Sequence, residues 1–191
     1  VGDIILDRYV LCDATSLASE APMMSLTRLE ERKYIGGAGI IARHLAGLGA
    51  QTSLLSTAAH DEASRFAQQV FADESIRCHL VPCRPCLPEK TRFLVDTTKV
   101  MRVEDGQSAP LDSAGQREAA DWIATVREVD AVIFCDFGYG TITKQLIECV
   151  RNTLVSPLRV VTADISGPRG NLMQFTNVTC LCPTERELRS V

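Results

Sequence analysis

Short apolar runs rich in β-branched residues alternate along this chain with stretches of helical period. The runs lie at 1–6, 52–56, 131–135, 160–163 and 178–182. Several are apolar throughout, as strands covered on both faces should be. Between them, 38–48 puts Ile41, Leu45 and Leu48 on one helix face, and 61–72 turns Phe66, Val70 and Phe71 inward. The segment 113–129 opens on Asp112 or Ser113 as a cap and carries a stripe of Ala119, Trp122, Ile123 and Val126. A fourth helix, 143–154, aligns Leu146, Ile147 and Val150. Strands and helices in alternation, joined by short connections, predict βαβ units on a mainly parallel sheet: an α/β fold.

Two stretches break the rhythm. The segment 8–35 is too long for a βα loop, and within it 9–12 and 23–29 read as strands. The segment 90–104 reads as a second pair: KTRFLV, a turn at Asp96-Thr97-Thr98, then KVMRVE. A structureless loop of such length is uncommon in a compact domain. Both stretches fit a small β-sheet projecting from the core, either as extra edge strands or as a lid over a site at the strand ends. No internal repeat or interdomain linker interrupts the chain.

Composition narrows the classes. A chain of 191 residues, 46% hydrophobic, is one globular domain or part of a larger one and can bury a core without staples. A net charge of −4 argues against a nucleic-acid partner. No uninterrupted apolar run reaches the ~18 residues of a membrane span. The opening VGDIILD has no basic region like that of a secretory leader, and it reads as a strand already under way, so the parent chain is expected to begin upstream. The expected compartment is the cytoplasm. Eight cysteines are too few for a disulfide scaffold of this length. Cys135, Cys180 and Cys182 lie in apolar runs, where free cysteine acts as a small core residue. Cys83-Arg84-Pro85-Cys86, near Cys78-His79, has no second tight pair for zinc, and its prolines suit a turn better than a redox helix.

In open α/β sheets, ligands bind beyond the carboxyl ends of the strands. Asp7, Asp136 and Asp164 follow apolar runs there, and Thr184 and Glu187 follow CLCP. Carboxylates at strand ends suit a polyol, whose hydroxyls they accept in pairs, or a metal–phosphate complex; helix capping is the plainer explanation for any one of them. Gly36-Gly37-Ala38-Gly39 precedes a helix and could admit a ligand close to the backbone or simply make a tight turn. It matches neither a dinucleotide fingerprint nor a P-loop. Lys90 and Arg92 fall on one face of their strand, where with Arg102 they could hold a phosphate. Charge protecting an edge strand explains them equally well.

These residues together resemble the ribokinase/PfkB carbohydrate-kinase family, and within it the heptose-7-phosphate kinase domain of bifunctional ADP-heptose synthesis enzymes. VGDIILDRY resembles the opening strand of that group. SEAP at 19–22 and KTRFLVDTTKVMRVED resemble its lid segments, and GGAGIIARHLAGLGA its glycine signature and first helix. CDFGYG and CPTERE resemble two further motifs, in order and at matching spacing. Three positions depart from the pattern: Ile40 and Thr184 stand where the family usually has Asn, and Tyr139 where the heptose kinases usually have Lys. The family's Gly-Ala-Gly-Asp motif is absent, and no GxGD string occurs in the chain.

The resemblance implies a ribokinase-like three-layer sandwich with a small β-sheet lid, truncated at the C-terminus. Residues 1–191 would be the N-terminal two-thirds of one kinase domain, with lid segments at about 8–35 and 88–104. It implies transfer of the ATP γ-phosphoryl group, with Mg2+, to a hydroxyl of a sugar or sugar phosphate resembling heptose 7-phosphate. Asp7, Gly36, Gly37, Lys90, Arg92, Arg102 and Asp136 would bind the sugar or its phosphate. Asp164, Thr184 and Glu187 would serve the nucleotide, with Glu187 reaching magnesium through water. The catalytic base is expected beyond Val191, so the chain by itself is expected to be inactive. A homodimer through the lid is implied, with Met23-Met24 suited to the contact. The alternative is a non-catalytic sugar- or nucleotide-binding regulatory protein on the same fold. A nicotinamide dehydrogenase fits poorly, since no glycine fingerprint follows the first strand.

Overall fold

The structure, a computed structural model, describes residues 1–17, 20, 23–126, 129–154, 160–166 and 172–189, without the side chains of 15–17. In chain order the elements are β1 (Ile4–Leu17), β2 (Met24–Gly37), α1 (Ala38–Gly47), β3 (Ser53–Ala58), α2 (Glu62–Asp73), β4 (Arg77–Pro82), β5 (Glu89–Val95), β6 (Thr98–Asp105), α3 (Ser113–Thr125), β7 (Ala131–Asp136), α4 (Lys144–Leu154), β8 (Val160–Ile165), β9 (Cys180–Leu181) and α5 (Glu185–Leu188).

The core sheet is parallel. β3 pairs with β4, β7 with β8, and β8 with β9. Residues 1–3 join the two halves. Gly2 N donates to Leu55 O at 3.0 Å, Asp3 N to Cys135 O at 3.0 Å, and Cys135 N to Val1 O at 2.9 Å. Apolar residues on both faces of these strands then need covering on both sides. Ala38 and Ala42 of α1 and Ala67 and Phe71 of α2 pack with Ile4 and Leu54 on one side. Ala119 and Ile123 of α3 and Leu146 and Val150 of α4 pack with Leu55 and Phe134 on the other. Neighbours Leu54 and Leu55 therefore face opposite layers, giving a three-layer α/β/α sandwich. Phe71 and Phe134 are each 0% exposed, and burying such a side chain contributes roughly 1.5–3 kcal/mol.

Helix starts follow the caps. Asp61 accepts from Ser64 N and Asp112 from Gly115 N, each at 2.8 Å, worth about 1 kcal/mol apiece. Three expectations need correcting. The helix expected over 113–129 ends at Thr125, because Val126 turns extended with ψ 127. Leu48, expected inward, is 84% exposed. The buried side of α1 is instead Ala38, Gly39 and Ala42, which lets the helix sit close: a Cβ at Gly39 would run into Ile35 and lie 3.1 Å from the Phe71 ring. Finally, Cys180 and Cys182, expected in the core, are exposed, since among the described residues β9 pairs only with β8. Cys135 is buried as expected.

The lid grows directly out of the core sheet. After Asp3 the chain continues as β1, far beyond the expected 9–12, and β2 returns antiparallel from Leu17↔Met24 to Ile4↔Gly37. β5 lies parallel to β1, and β6 antiparallel to β5, giving the order β2-β1-β5-β6. Of the SEAP segment, all but Glu20 lies outside the described residues.

Candidate functional site

Register decides which side chains meet. Asp7 sits opposite Tyr34 on β2 and Lys90 on β5; Tyr9 sits opposite Arg32 and Arg92. On β6, Arg102 lies opposite Arg92 and Glu104 opposite Lys90. Because side chains alternate along a strand, all of these share one lid face. That face forms one wall of an open groove of about 690 Å³, lined by Asp7, Tyr9, Tyr34, Gly36 and Ile40 among others. Its size suits a small ligand.

Beside the groove, Arg92 donates to the Asp7 carboxylate and stands 5.3 Å over the Tyr9 ring. Partial burial pulls the Arg92 pKa down, but the Asp7 hydrogen bond and charge, with smaller pushes from Tyr9 and Glu104, together hold the guanidinium above its ordinary value. Tyr9 packs edge-on against Tyr34 at 5.7 Å. Glycine at position 36 is a matter of space: a Cβ there would collide with the Asp7 carboxylate. Gly37, at φ 61, caps α1, and Ala38 N donates to Asp3 O at 2.8 Å.

The loop after β7, which stands outside the groove lining, is built on a residue that carried no expectation. Asp3 is 1% exposed. Its carboxylate accepts from the amides of Phe137 at 2.9 Å, Tyr139 at 3.1 Å and Thr141 at 3.0 Å, so it shapes the loop after β7. Arg84, also buried, donates to Tyr139 O at 3.0 Å. Burial lowers the Arg84 pKa, and Asp3 is the largest influence opposing that shift. The loop so held presents the Tyr139 ring to Lys90, whose Nζ lies 5.8 Å from its centroid. Among the described residues Lys90 makes no ion pair, which leaves its charge available to a ligand. This contact joins the lid to the core.

Of the seven expected sugar-binding residues, Asp7 and Gly36 line the groove and the other five do not. Asp136 is 4% exposed and does not line it. Its Oδ1 accepts from Gly138 N at 3.0 Å and its Oδ2 from Gln174 Nε2 at 3.1 Å. Arg102 stands at the open rim, paired with Glu104 at 3.0 Å. Asp7, Gly36, Lys90 and Arg92 do come together, and Gly37 supports them from behind.

The expected nucleotide residues form a second cluster at the ends of β8 and β9. Burial pushes the Asp164 carboxyl up, with a further push from the charge of Glu187. Thr184 caps α5, and Glu187 Oε2 accepts from both the amide and the hydroxyl of Thr184 at 2.8 Å. In this capping box Glu187 is tied to the backbone. Carboxylates here are oxygen donors of the kind a hydrated divalent cation takes, although among the described residues no group of three or more His, Cys, Asp or Glu is arranged to hold a metal.

No protein-family model matches the chain. Curated relatives match it throughout. The bifunctional protein HldE of Methylococcus capsulatus is 30% identical over 196 residues, covering 100% of this chain and 40% of that protein. HldE of Rhodopseudomonas palustris is 27% identical over 193 residues, covering 98% and 39%. The chain thus spans about two-fifths of the length of these relatives. Among solved structures, a mutant phosphofructokinase-2 from Escherichia coli superposes with a TM-score of 0.71 at 17% identity, covering 98% of this chain and 60% of that one. Phosphofructokinase-2 in complex with fructose-6-phosphate gives a TM-score of 0.65 at 17% identity, over 87% and 54%. The fold is ribokinase-like.

Proposed function

We propose that the chain belongs to the ribokinase/PfkB carbohydrate-kinase family, as its relatives and fold support, and that it is the acceptor-binding part of a sugar- or sugar-phosphate kinase. Residues 1–191 form the N-terminal part of a single kinase domain, with the lid at 8–35 and 88–104. The observation that carries this reading is the lid face at the groove: Asp7 and Gly36 line the hollow, Arg92 donates to Asp7, and Lys90 stands in register with Asp7. A carboxylate accepts paired sugar hydroxyls, and the adjoining cations suit a phosphate on the same molecule. A heptose 7-phosphate fits that pairing of groups.

The chain's own residues position the acceptor rather than perform covalent chemistry, which is what phosphoryl transfer asks of a protein. Asp7 orients the hydroxyls, with Arg92 fixing its carboxylate. Lys90, held over Tyr139, brings the lid onto the core and shields the groove from water, the competing acceptor. Asp136 acts behind the loop that carries Tyr139. At the second cluster, Asp164, Thr184 and Glu187 would hold magnesium–ATP, Glu187 acting through water. Magnesium there would neutralise phosphate charge. The catalytic base and anion hole correspond to the family's GxGD motif, which this chain lacks, so the 191-residue chain binds sugar without consuming ATP. The protein works as a homodimer in the cytoplasm, with the copies meeting through the lid, where Met23, Met24, Met101 and Val103 are exposed.

A thermal-shift screen of sugar phosphates tests this reading. One class, with heptose 7-phosphate in it, should raise the melting temperature of the wild type and leave Asp7→Asn unmoved. A flat response to every sugar phosphate would reject it. ATP hydrolysis that depends on sugar, by the chain alone, would refute the inactivity.

A further inference from the structure

Tyr34 faces the groove and has no part in the function proposed above. It stands directly opposite Asp7 in the pairing of β1 with β2, and it lines the same hollow. The Asp7 carboxylate lies against Gly36, where a Cβ would collide with it. Gly36 and Tyr34 are two positions apart on β2, so they share one face of the strand at a separation of about 7 Å. A carboxylate and an aromatic ring therefore stand side by side on one wall. Neighbouring side chains fix the ring. Tyr9 meets it edge-on, with centroids 5.7 Å apart and planes at 84°. Arg92, bonded to Asp7, stands 5.3 Å over the Tyr9 ring in turn. The contacts run from Asp7 through Arg92 and Tyr9 to Tyr34, and the strand pairing returns them to Asp7.

We infer that Tyr34 is the stacking platform for the ring of the acceptor sugar, and that it selects a closed sugar ring over an open-chain polyol. The inference rests on the sugar-kinase reading and narrows its substrate class. An aromatic face is the negative side of the ring's quadrupole. It attracts the C–H bonds that a pyranose gathers on one face. The same pyranose turns its hydroxyls outward along its edge, where Asp7 accepts them in pairs. Ile40, in the first turn of α1, adds apolar surface to the hollow. An open-chain polyol offers Asp7 the same hydroxyls, but it has no fixed C–H face for Tyr34. It also gives up more rotational freedom on binding. An aromatic pair that only tied β2 to β1 would treat the two ligands alike.

Calorimetric titration of the 191-residue chain with two probes tests the inference. One is heptose 7-phosphate. The other is the heptitol 7-phosphate made from it by borohydride reduction, which keeps the phosphate and the hydroxyls and cannot close into a ring. The wild type should bind the sugar about tenfold more tightly than the heptitol, a difference of the size an aromatic contact supplies. Tyr34→Ala and Tyr34→Leu should each weaken sugar binding about tenfold and leave heptitol binding unchanged. Tyr34→Phe should keep the wild-type preference. Equal affinity of the wild type for both probes, a preference that survives Tyr34→Ala, or a parallel loss of both probes in the Ala and Leu variants would overturn the inference and leave the kinase reading standing. A wild type that binds neither probe would remove both.

Discussion

Asp3 and Asp7 lie four positions apart on one continuous run of chain and do different work. Asp3 is enclosed, with three amides and Arg84 arranged around its charge. Removing it in Asp3→Ala orphans those donors and leaves Arg84 uncompensated, so unfolding free energy should fall by about 3–5 kcal/mol in urea titrations. Asp7→Asn alters a half-buried pair facing the groove and should cost no more than about 1 kcal/mol while abolishing sugar binding. Asp164 gives a pH signature. Burial and Glu187 raise its folded pKa, so the folded chain keeps that proton to higher pH than the unfolded chain does. The resulting stability is complete below the ordinary carboxylate pKa and is lost as pH rises through the raised value. Asp164→Asn should therefore melt higher than the wild type at neutral pH, and the advantage should disappear in acid. That Lys90 and Arg92 share a strand face was legible because alternation is a local rule; Asp7, expected just past a strand end, lies inside β1. Asp3 was not, since its partners lie more than 130 residues away. The available signal was a carboxylate set inside the apolar run VGDIIL, which must find buried donors to be tolerated.

At the scale of elements, β1 governs the design: its first residues carry the core sheet on into the lid. The lid and the groove therefore share one backbone, and Gly36 is where β2 passes closest to Asp7. Gly36→Ala should push the Asp7 carboxylate aside and weaken sugar affinity about tenfold, some 1.4 kcal/mol, with a smaller change in melting temperature. Calorimetric titration would read both. The opposite lid face carries Met101 at 50% and Val103 at 39% exposure. Met101→Lys with Val103→Lys should shift sedimentation from dimer to monomer; a wild type that is already monomeric at micromolar concentration would contradict lid-mediated pairing. Helix positions were read from periodicity, and α4 buries Leu146, Ile147 and Val150 as its pattern dictates. The pattern misplaced Leu48, because small residues on the other side of α1 allow closer packing than larger ones. It also missed the length of β1 and β2, whose charged faces look like loop in composition and become strand only through pairing.

Over the whole molecule, two apolar layers flank a parallel sheet, and the polar chemistry collects where the strands end and the lid begins. Fold class, lid and the acidic strand ends could be anticipated from order and spacing. Which residues share a hollow could not, because that depends on how β1, β2 and β5 pair. The central claim is that this hollow takes a phosphorylated sugar without any contribution from the rest of a kinase. Isothermal titration of the 191-residue chain with heptose 7-phosphate tests it most directly. The account predicts one site per chain, lost in Asp7→Asn while the unfolding midpoint of the variant stays near that of the wild type. Absence of binding heat in the wild type, or equal affinity in the two proteins, would contradict it.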